Sequence, residues 1–339
     1  MEKNTGKDRA MGAIMGTLVG DGLGLGCHWY YDLERLRRDF GPWISGYADS
    51  KPDRSDLFAR IAKFRHDAGL RAGDVSQTGQ VTILLLESVA QKGAYDEGDF
   101  TRRLDGLLDT LDGSAFSGRY TDWAMRDVWN QRKSGMAWTD VGSAADTGEA
   151  AMRTTVLAAH LFKDPEELAR TAYSNIRLTH RWPYIAGQSL SFALTVSAFI
   201  NGTPLKEIRK TMAQFAEKKE IRALVPSFDC LTAVGNGAVA VGIPAKIEPA
   251  SMVCSIYGLS CTLGFMLPAA YYFIHRYPEN FEMAVLSAVN GGGNNMARAA
   301  LTGALSGALV GLKGIPDRLI SGLTDHERLL RLAEKVVKG

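Results

Sequence analysis

The chain has 339 residues, of which 46% are hydrophobic and 22% charged, a composition typical of a folded globular protein. A formal net charge of +2, from 39 basic and 37 acidic side chains, argues against the basic surface of a nucleic-acid-binding or membrane-surface protein. The four cysteines follow neither a disulfide framework nor a zinc spacing, so we expect reduced thiols and a cytoplasmic location.

Residues 1–9 are polar and lack periodicity, and we predict a disordered or extended N-terminus there, followed by one domain over residues 10–339. Small residues recur at a spacing of four in two parts of the chain. At this spacing they form a smooth stripe on one helix face, which lets a second helix approach closely. The pattern therefore predicts a tightly packed helical core. The spacing of four recurs in two series, Gly12/Gly16/Gly20 and Gly303/Gly307/Gly311.

Hydrophobic periodicity and start and stop residues predict further helices. Met252–Ile274 is the most apolar stretch, but its polar residues favour a buried helix broken near Pro268 over a membrane span. No sustained period-two alternation predicts a strand, so the expected fold class is all-α, a single compact helical domain. The other predicted helical segments are Met11–Leu25, Thr78–Gln91, Asp99–Leu111, Thr147–Phe162, Pro183–Ile200, Leu205–Lys218, Phe228–Gly242, Val285–Lys313 and Asp325–Val337.

Two clusters of glycine and polar residues in the N-terminal part of the chain are candidates for a functional site. Gly20–Gly24 is typical of a helix end, but the aromatic residues of His28–Tyr31 that follow offer faces for ligand stacking. Gly73–Gln80 leads into a helix. Ser76 or Thr78 there predicts a plain N-cap, and an anion bound at the exposed N–H groups is the functional alternative.

Two further clusters follow. Asp146–Arg153 is associated with Thr179-His180, and His180 is either a buried hydrogen-bonding residue or a polar group of a site. Asn290–Arg298 contains three successive glycines and two asparagines, which do not favour a helix. It predicts a turn whose backbone approaches something closely and whose amides donate and accept hydrogen bonds. Of the four clusters, this is the one whose residues by themselves favour a functional role over a structural one.

The order of these clusters resembles the ADP-ribosylglycohydrolase family, from about Met11 to Ile315. The resemblance implies an all-α fold. It also implies a binuclear magnesium centre that helps to cleave an N- or O-glycosidic bond to ADP-ribose. The matching segments are Gly20–Gly24, Ala151-Met152-Arg153, Thr179-His180, Asn290–Gly293 and the helix around Gly303–Gly311.

The acidic motifs of that family are missing. Its Thr-Asp-Asp-Thr is replaced by Ser76–Gly79, and its Asp-x-Asp-Thr by Asn294–Ala297. Magnesium is held through carboxylates and water, so we expect neither a metal nor a cofactor. His28–Tyr31 and Gly292–Arg298 resemble instead the J-type crystallins and their selenoprotein relatives, a branch of the family with similar changes. His28 stands about where some metal-dependent relatives place a glutamate.

On this resemblance we predict a metal-independent hydrolase that cleaves a glycosidic bond of an ADP-ribose-like or other ribosyl ligand. His28 is predicted to be the acid–base group, with Asp21 orienting it or binding ribose. Arg298 either pairs with phosphate or is a solvated or capping charge. The predicted substrate-binding residues are Trp29, Tyr31, Ser76, Gln77, Thr78, Gly291, Gly292, Gly293, Asn294, Asn295 and Arg298.

The alternative is a catalytically inactive, crystallin-like protein that binds a ligand or has a structural role. In both cases the expected partner is a small-molecule nucleotide or ribosyl ligand, with neither nucleic acid nor membrane. The oligomeric state is left open.

Overall fold

A computed structural model of the chain describes residues 5–227, 229–232 and 246–338. Within these ranges the chain is helical, and extended segments pair only in three isolated bridges. The predicted all-α single domain is confirmed. The helices are α1 Gly6–Leu25, α2 Leu33–Phe40, α3 Ala59–Asp67, α4 Gln77–Lys92, α5 Glu97–Leu108, α6 Trp123–Lys133, α7 Glu149–His160, α8 Pro165–Arg177, α9 Pro183–Ile200, α10 Ile208–Glu217, α11 Lys219–Arg222, α12 Asp229–Thr232, α13 Val253–Tyr257, α14 Leu263–Arg276, α15 Phe281–Asn290, α16 Asn295–Val310, α17 Asp317–Ser321 and α18 His326–Lys338.

Helix α1 begins earlier than the sequence indicates. Thr5 caps it by accepting a 3.2 Å hydrogen bond from the Asp8 amide, and the helix starts at Gly6. The segment predicted to be disordered or extended therefore contributes its last four residues to a helix. Residues 1–4 lie outside the described residues.

Helices α1 and α16 form the centre of the fold, and their glycine stripes face each other. A Cβ atom on Gly303 would overlap the carbonyl oxygen of Gly16, and one on Gly307 would overlap that of Gly12. Backbone therefore meets backbone along this contact, as the spacing of four predicts. Nearly every residue of the two helices is buried. The polar residues near the C-terminal end of α1 and the N-terminal end of α16 are therefore held rigidly.

Helix α9 matches its predicted bounds at both ends and packs on α7 and α8 within the core. Its 18 residues have a mean hydropathy of 1.2, which makes it the one helix of the described chain long and apolar enough to cross a membrane. However, 89% of that window is buried inside the fold. A central core helix has the same composition.

The segment Met252–Ile274 is divided, but the predicted break near Pro268 is wrong. Helix α13 ends at Tyr257, and α14 runs without interruption through Pro268. The break falls at Gly258, whose φ of 127° is a conformation that favours glycine. The resulting loop, residues 258–262, reaches the candidate site described below. The predicted helix over Phe228–Gly242 falls mostly outside the described residues, which include only 229–232 of it.

Candidate functional site

Asp21 anchors the start of α4 to the middle of the fold. Its carboxylate is fully buried and accepts hydrogen bonds from the Ser76 amide at 2.6 Å and the Ser76 hydroxyl at 2.7 Å. Ser76 in turn caps the helix by accepting from Gly79 N at 3.1 Å. Burial raises the pKa of Asp21 to about 6, although both Ser76 bonds and the charge of Arg65 oppose the rise. The hydrogen bonds of Asp21 thus tie helices together and do not reach His28.

Gln77 is buried and its amide is used inside the protein. Nε2 donates to the Thr121 hydroxyl at 3.0 Å, and Oε1 accepts from the Arg119 amide at 3.1 Å. Thr78 lies one residue further along, where it lines a small cavity at the start of α4. Of the predicted residues in this segment, Ser76 and Gln77 hold the protein together, and Thr78 reaches a cavity.

His28 is oriented by Asn295 instead of Asp21. Asn295 Nδ2 donates to the carbonyl oxygens of Cys27 at 3.1 Å and Val289 at 3.2 Å, so its Oδ1 faces His28 Nδ1 at 3.2 Å. An oxygen acceptor at Nδ1 places the proton there and leaves Nε2 with a free lone pair. Burial, reinforced by the charge of Arg65, holds the pKa of His28 well below its usual range. His28 is therefore a neutral imidazole, which binds a proton weakly but can accept a hydrogen bond at Nε2.

The Gly291–Gly293 turn is packed against the segment that carries His28. Gly293 N donates to Tyr30 O at 2.7 Å, and Trp29 N donates back to Gly293 O at 3.0 Å. A side chain on Gly291 would collide with the sulfur of Cys254. Glycine is therefore required for close approach of backbone to protein, and no ligand is needed to explain it.

Asn294 and Arg298 also have internal partners. Asn294 caps α16 by accepting from the Ala297 amide at 3.3 Å. Arg298 is fully buried and donates from Nη2 to the carbonyl oxygens of Ala288 and Gly292. Burial lowers its pKa. Of the two alternatives for Arg298, the carbonyl-binding geometry fits a charge that holds a turn.

Trp29 and Tyr31 line an open cavity of about 450 Å³, which we call the aromatic cavity. Tyr31 is 42% exposed and stacks on Phe58 with ring centroids 5.2 Å apart, while Trp29 lies 5.4 Å from the same ring. Flat faces with polar edges are suited to stacking on a base or sugar. The full lining is Trp29, Tyr31, Asp32, Arg35, Ser55, Asp56, Leu57 and Phe58.

A second cavity, the carboxylate cavity, contains two acidic side chains, Asp122 and Glu149. It is narrow, with a volume of about 10 Å³, which is room for about one water molecule. Asp122 caps α6 by accepting from Met125 N at 2.9 Å, and Glu149 lies in the first turn of α7. Both side chains are partly exposed. The lining is Thr78, Val81, Asp122, Ala124, Met125, Glu149, Arg153, Thr179 and His180.

The two carboxyl groups titrate in opposite directions. Burial, and then the charge of Glu149, raises the pKa of Asp122 to about 7. Burial opposes ionisation of Glu149 too, but the contact with His180 outweighs it and leaves the pKa of Glu149 lowered. The Oε2 atom of Glu149 lies 3.4 Å from His180 Nε2. Near neutral pH the pair therefore consists of one ionised carboxylate and one carboxyl group that readily carries a proton.

His180 is fixed from both sides of its ring, by Thr147 Oγ1 at 3.0 Å from Nε2 and Thr179 Oγ1 at 2.9 Å from Nδ1. Thr179 also accepts from the buried Arg153 at 2.8 Å. Both alternatives for His180 apply. It is a buried hydrogen-bonding residue, and it also lines the carboxylate cavity beside Glu149.

The loop at residues 258–262 connects the two sides of the site. Leu259 O accepts from Asn294 N at 2.8 Å, and Thr262 Oγ1 donates to Asp146 Oδ2 at 2.8 Å. Burial, followed by the charges of Glu149 and Asp146, raises the pKa of the Cys261 thiol to about 11. Burial, and then the charge of Cys261, raises the pKa of Tyr31, so the loop lies close to both the carboxylate cavity and the aromatic cavity.

Most of the predicted residues come together, but in roles that the sequence does not reveal. Ser76, Gln77, Asn294, Asn295 and Arg298 surround the site as structural ties, whereas Trp29, Tyr31 and Thr78 reach cavities. Sequence reasoning missed Asp122 and Arg65. The only signal at Asp122 is that of an ordinary N-cap aspartate before a helix, which does not distinguish it from the caps Asp96 and Asp164.

Comparison with known proteins identifies relatives that align along nearly the whole chain. The profile of the ADP-ribosylglycohydrolase family matches residues 2–339. An uncharacterised protein of Archaeoglobus fulgidus is 25% identical over 97% of this chain and 96% of its own length. The ADP-ribosyl-(dinitrogen reductase) glycohydrolase of Rhodospirillum rubrum is 23% identical over 93% of this chain and 90% of its own.

A solved structure described as an ADP-ribosylglycohydrolase-related protein complex has the same fold, with a TM-score of 0.67 and 20% identity over 99% of both chains. The profile match covers all the helices and clusters described above, from the glycine stripe of α1 to the end of the chain. The chain therefore belongs to the ADP-ribosylglycohydrolase family.

Proposed function

We propose that the protein is a metal-independent hydrolase that cleaves a glycosidic bond of an ADP-ribose-like or other ribosyl ligand, with Asp122 as the acid and Glu149 as the ionised carboxylate. The observation that carries the proposal is the opposite titration of these two groups in one cavity. Paired carboxyl groups whose environments push their pKa values apart are a common basis for acid and base assignments.

The chemistry follows from that pair. Cleavage of a glycosidic bond passes through an oxocarbenium-like state, which needs a proton on the departing oxygen or nitrogen and a negative charge near the sugar carbon. Protonated Asp122 supplies the first and ionised Glu149 the second. His180, held by two threonines, keeps the Glu149 carboxylate in place. A water molecule then attacks the sugar carbon and gives its proton to Glu149. If Glu149 itself attacks, the ester it forms is hydrolysed by a water molecule that returns a proton to Asp122.

This assignment modifies the roles predicted from the sequence. His28, being neutral and weakly basic, fits a hydrogen-bond acceptor, and the acid role passes to Asp122. Trp29 and Tyr31 are proposed to stack on the ligand. The J-type crystallin-like branch remains part of the proposal, supported by His28–Tyr31 and by Asn294 and Asn295. A cytoplasmic location also remains a proposal and is supported by the scattered cysteines.

The residues at the family's metal-binding positions fit magnesium poorly. Ser76 and Asn294 cap helices, and the amides of Gln77 and Asn295 are bonded within the protein. Met296 packs with Leu25 and Leu70 in an apolar cluster. Magnesium requires oxygen ligands with negative charge. Across residues 5–227, 229–232 and 246–338, no group of three or more His, Cys, Asp or Glu side chains is arranged to hold a metal.

The narrowness of the carboxylate cavity favours a second candidate function, a crystallin-like protein that binds a ligand or has a structural role. A volume of about 10 Å³ does not admit a ribosyl group without movement of the lining. Under this alternative, nucleotide ligands stabilise the protein in the aromatic cavity, but no glycosidic bond is cleaved.

Replacing Asp122 with Asn is expected to reduce turnover of ADP-ribosylated or nucleoside substrates at least about 100-fold, because an amide cannot donate the proton. Asparagine caps helices as well as aspartate does, so α6 should stay intact. Asp164→Asn is the matched control: it changes an exposed N-cap on α8 and should leave turnover unchanged. Turnover is measured by chromatography of products, with EDTA or with magnesium.

Three results decide between the alternatives. Full turnover by the Asp122 variant removes this residue from the mechanism. Turnover by the wild-type protein that EDTA abolishes and magnesium restores overturns metal independence. Ligand-induced stabilisation without any product over prolonged incubation supports the second candidate.

Turnover is also expected to fall as the pH rises through about 7. Asp122 acts in its protonated form, and its raised pKa keeps that form populated up to about that pH. A pH profile of kcat/KM, which reports the free enzyme, measured between pH 5 and 9 should therefore show an alkaline limb near 7. The Asp122→Asn variant should lose this limb from whatever residual rate it retains. A flat wild-type profile over this range would contradict the acid role.

A further inference from the structure

Arg65 is a buried cation with few partners. It lies on α3, is 4% exposed, and donates only one long hydrogen bond, 3.4 Å from Nη1 to Leu25 O. Its Nε is buried and has no hydrogen-bond partner, and among the described residues the guanidinium forms no ion pair. Burial lowers the pKa of Arg65 to about 10, so the group stays charged at neutral pH. A buried charge with so few bonds is costly unless another group pairs with it.

The two rings beside this guanidinium have unusual backbones. Trp29 and Tyr120 each lie 5.8 Å from Arg65, and their own ring centroids are 5.0 Å apart. Their φ angles are 60° and 79°, and only Asp325 shares this conformation among the described non-glycine residues. Bulky residues adopt positive φ at a cost, and such positions concentrate at functional sites.

The strained Trp29 is held by its neighbours. Arg54 donates to the carbonyl oxygens of His28 and Trp29, both at 2.9 Å, and is itself paired with Asp56. The charge of Arg54 is thus used within the protein. Arg65 differs from Arg54. Burial lowers its pKa, and the neighbouring charge that most opposes this is Asp21, whose oxygens are already bonded to Ser76.

The position of Arg65 coincides with the altered metal motifs of the family. Its partner Leu25 belongs to the apolar cluster with Leu70 and Met296, and Met296 replaces an acid of the family's last motif. His28, whose neutral state Arg65 favours, presents an imidazole with no hydrogen-bond partner at Nε2 within the described part of the chain. A fixed cation and a neutral imidazole therefore stand where the resemblance predicts metal ions.

We propose that Arg65, beside His28 and beneath the Trp29 and Tyr120 rings, binds an oxyanion of the ligand, and so supplies with a guanidinium the positive charge that metals supply in the family. The ligand class is a phosphorylated ribosyl compound. The ribosyl part rests on the proposed function, whereas the oxyanion site stands on Arg65 itself. Guanidinium groups pair with phosphate through two parallel hydrogen bonds. Two nitrogens of Arg65, Nε and Nη2, have no hydrogen-bond partner among the described residues and would donate them.

Charge is divided along the site in a way that fits such a ligand. Burial raises the pKa of Tyr120, the charges of Arg126 and Arg65 lower it, and the charge of Asp122 raises it, so the Tyr120 side chain lies near both Arg65 and Asp122. A phosphate at Arg65 would place a sugar toward Asp122 and Glu149. The oxocarbenium-like charge then develops near the carboxylates and away from the guanidinium.

The experiment measures binding by calorimetry in the full-length Asp122→Asn protein, with ribose 5-phosphate, inorganic phosphate and ribose as probes. Ribose 5-phosphate is expected to bind at least tenfold more tightly than ribose. Adding Arg65→Met should weaken it at least tenfold and remove most of its salt dependence. Arg60→Met is the matched control, since it removes an exposed arginine of the same helix and should change affinity less than twofold.

Arg65→Lys guards against a folding defect, because it keeps the charge and should bind with intermediate affinity. Equal affinity of the Arg65→Met and parent proteins for ribose 5-phosphate would overturn the proposal, as would equal affinity of the parent for ribose. A protein that binds ribose 5-phosphate through Arg65 but cleaves nothing supports this site and removes the proposed hydrolysis. Hydrolysis of an unphosphorylated riboside by a protein that binds no phosphate would support the proposed hydrolysis and overturn the oxyanion site.

Discussion

Gly303→Ala is expected to lower the free energy of unfolding by about 3 kcal/mol or more, the upper end of the range for overpacked cores. A methyl group at this position would overlap the carbonyl oxygen of Gly16, which belongs to the backbone of α1. Backbone cannot rotate away as a side chain can, so α1 and α16 must separate. Because Asn295, which orients His28, is the first residue of α16, and His28 follows closely after α1, the site should loosen as well.

Gly106→Ala is the matched control. Gly106 is an exposed glycine inside α5, and a methyl group there meets nothing within 4 Å. The same change should therefore stabilise the protein by about 0.5–1 kcal/mol, since alanine favours a helix. Urea unfolding of both variants, followed by circular dichroism, measures the difference. Similar stability of the two alanine variants would show that α1 and α16 do not meet backbone to backbone.

This contact is a part of the fold that the sequence predicts well. The spacing of Gly12, Gly16 and Gly20 on one helix and of Gly303 and Gly307 on another directly reports a close helix approach, because no other role requires small residues on one face. Helix ends at proline and at capping residues are also local signals. They predict both ends of α9, at Pro183 and Ile200.

Short polar helices were not predicted. Helices α2, α3 and α6 bury few side chains, and α2 buries only Leu36. These helices are short and hydrophilic on average, so they offer few apolar positions from which a helix can be predicted. Tertiary contacts such as the bond from Arg65 to Leu25 stabilise them. Such contacts join residues 40 positions apart, which no local pattern reports.

The candidate site was predicted in its location more than in its chemistry. The clusters around His28, Ser76 and Asn294 do converge, as their shared order with the family indicates. Their polar groups, however, mostly bond to one another, and that depends on three-dimensional pairing. Asp122 acquires its raised pKa only because burial and Glu149 act on it together, and nothing near Asp122 in the sequence marks this.

Asp21→Ala is expected to lower the free energy of unfolding by about 3–5 kcal/mol at pH 7, because it leaves the buried Ser76 amide and hydroxyl without their acceptor. It also removes the counter-charge of the buried Arg65. Asp21→Asn is the conservative control. Its amide can accept from the Ser76 amide and donate to the Ser76 hydroxyl, so its stability at pH 7 should be within about 1 kcal/mol of wild type. If Asp21 served the ligand and not the fold, both variants would unfold like wild type and only affinity would change.

The pH dependence of stability separates the two roles of this carboxyl group further. Its pKa rises from 3.8 to about 6 on folding, so the folded state binds the proton more tightly than the unfolded state. The stabilisation from that proton is fully present below pH 3.8 and is lost as the pH rises through about 6. Relative to Asp21→Asn, wild type should therefore lose about 2 kcal/mol of stability between pH 4.5 and pH 7.5, which is most of the roughly 3 kcal/mol that the full change in pKa represents. Unfolding curves of both proteins at pH 4.5 and pH 7.5 measure this difference. A constant difference would mean that Asp21 is ionised without penalty, as a solvent-facing ligand group would be.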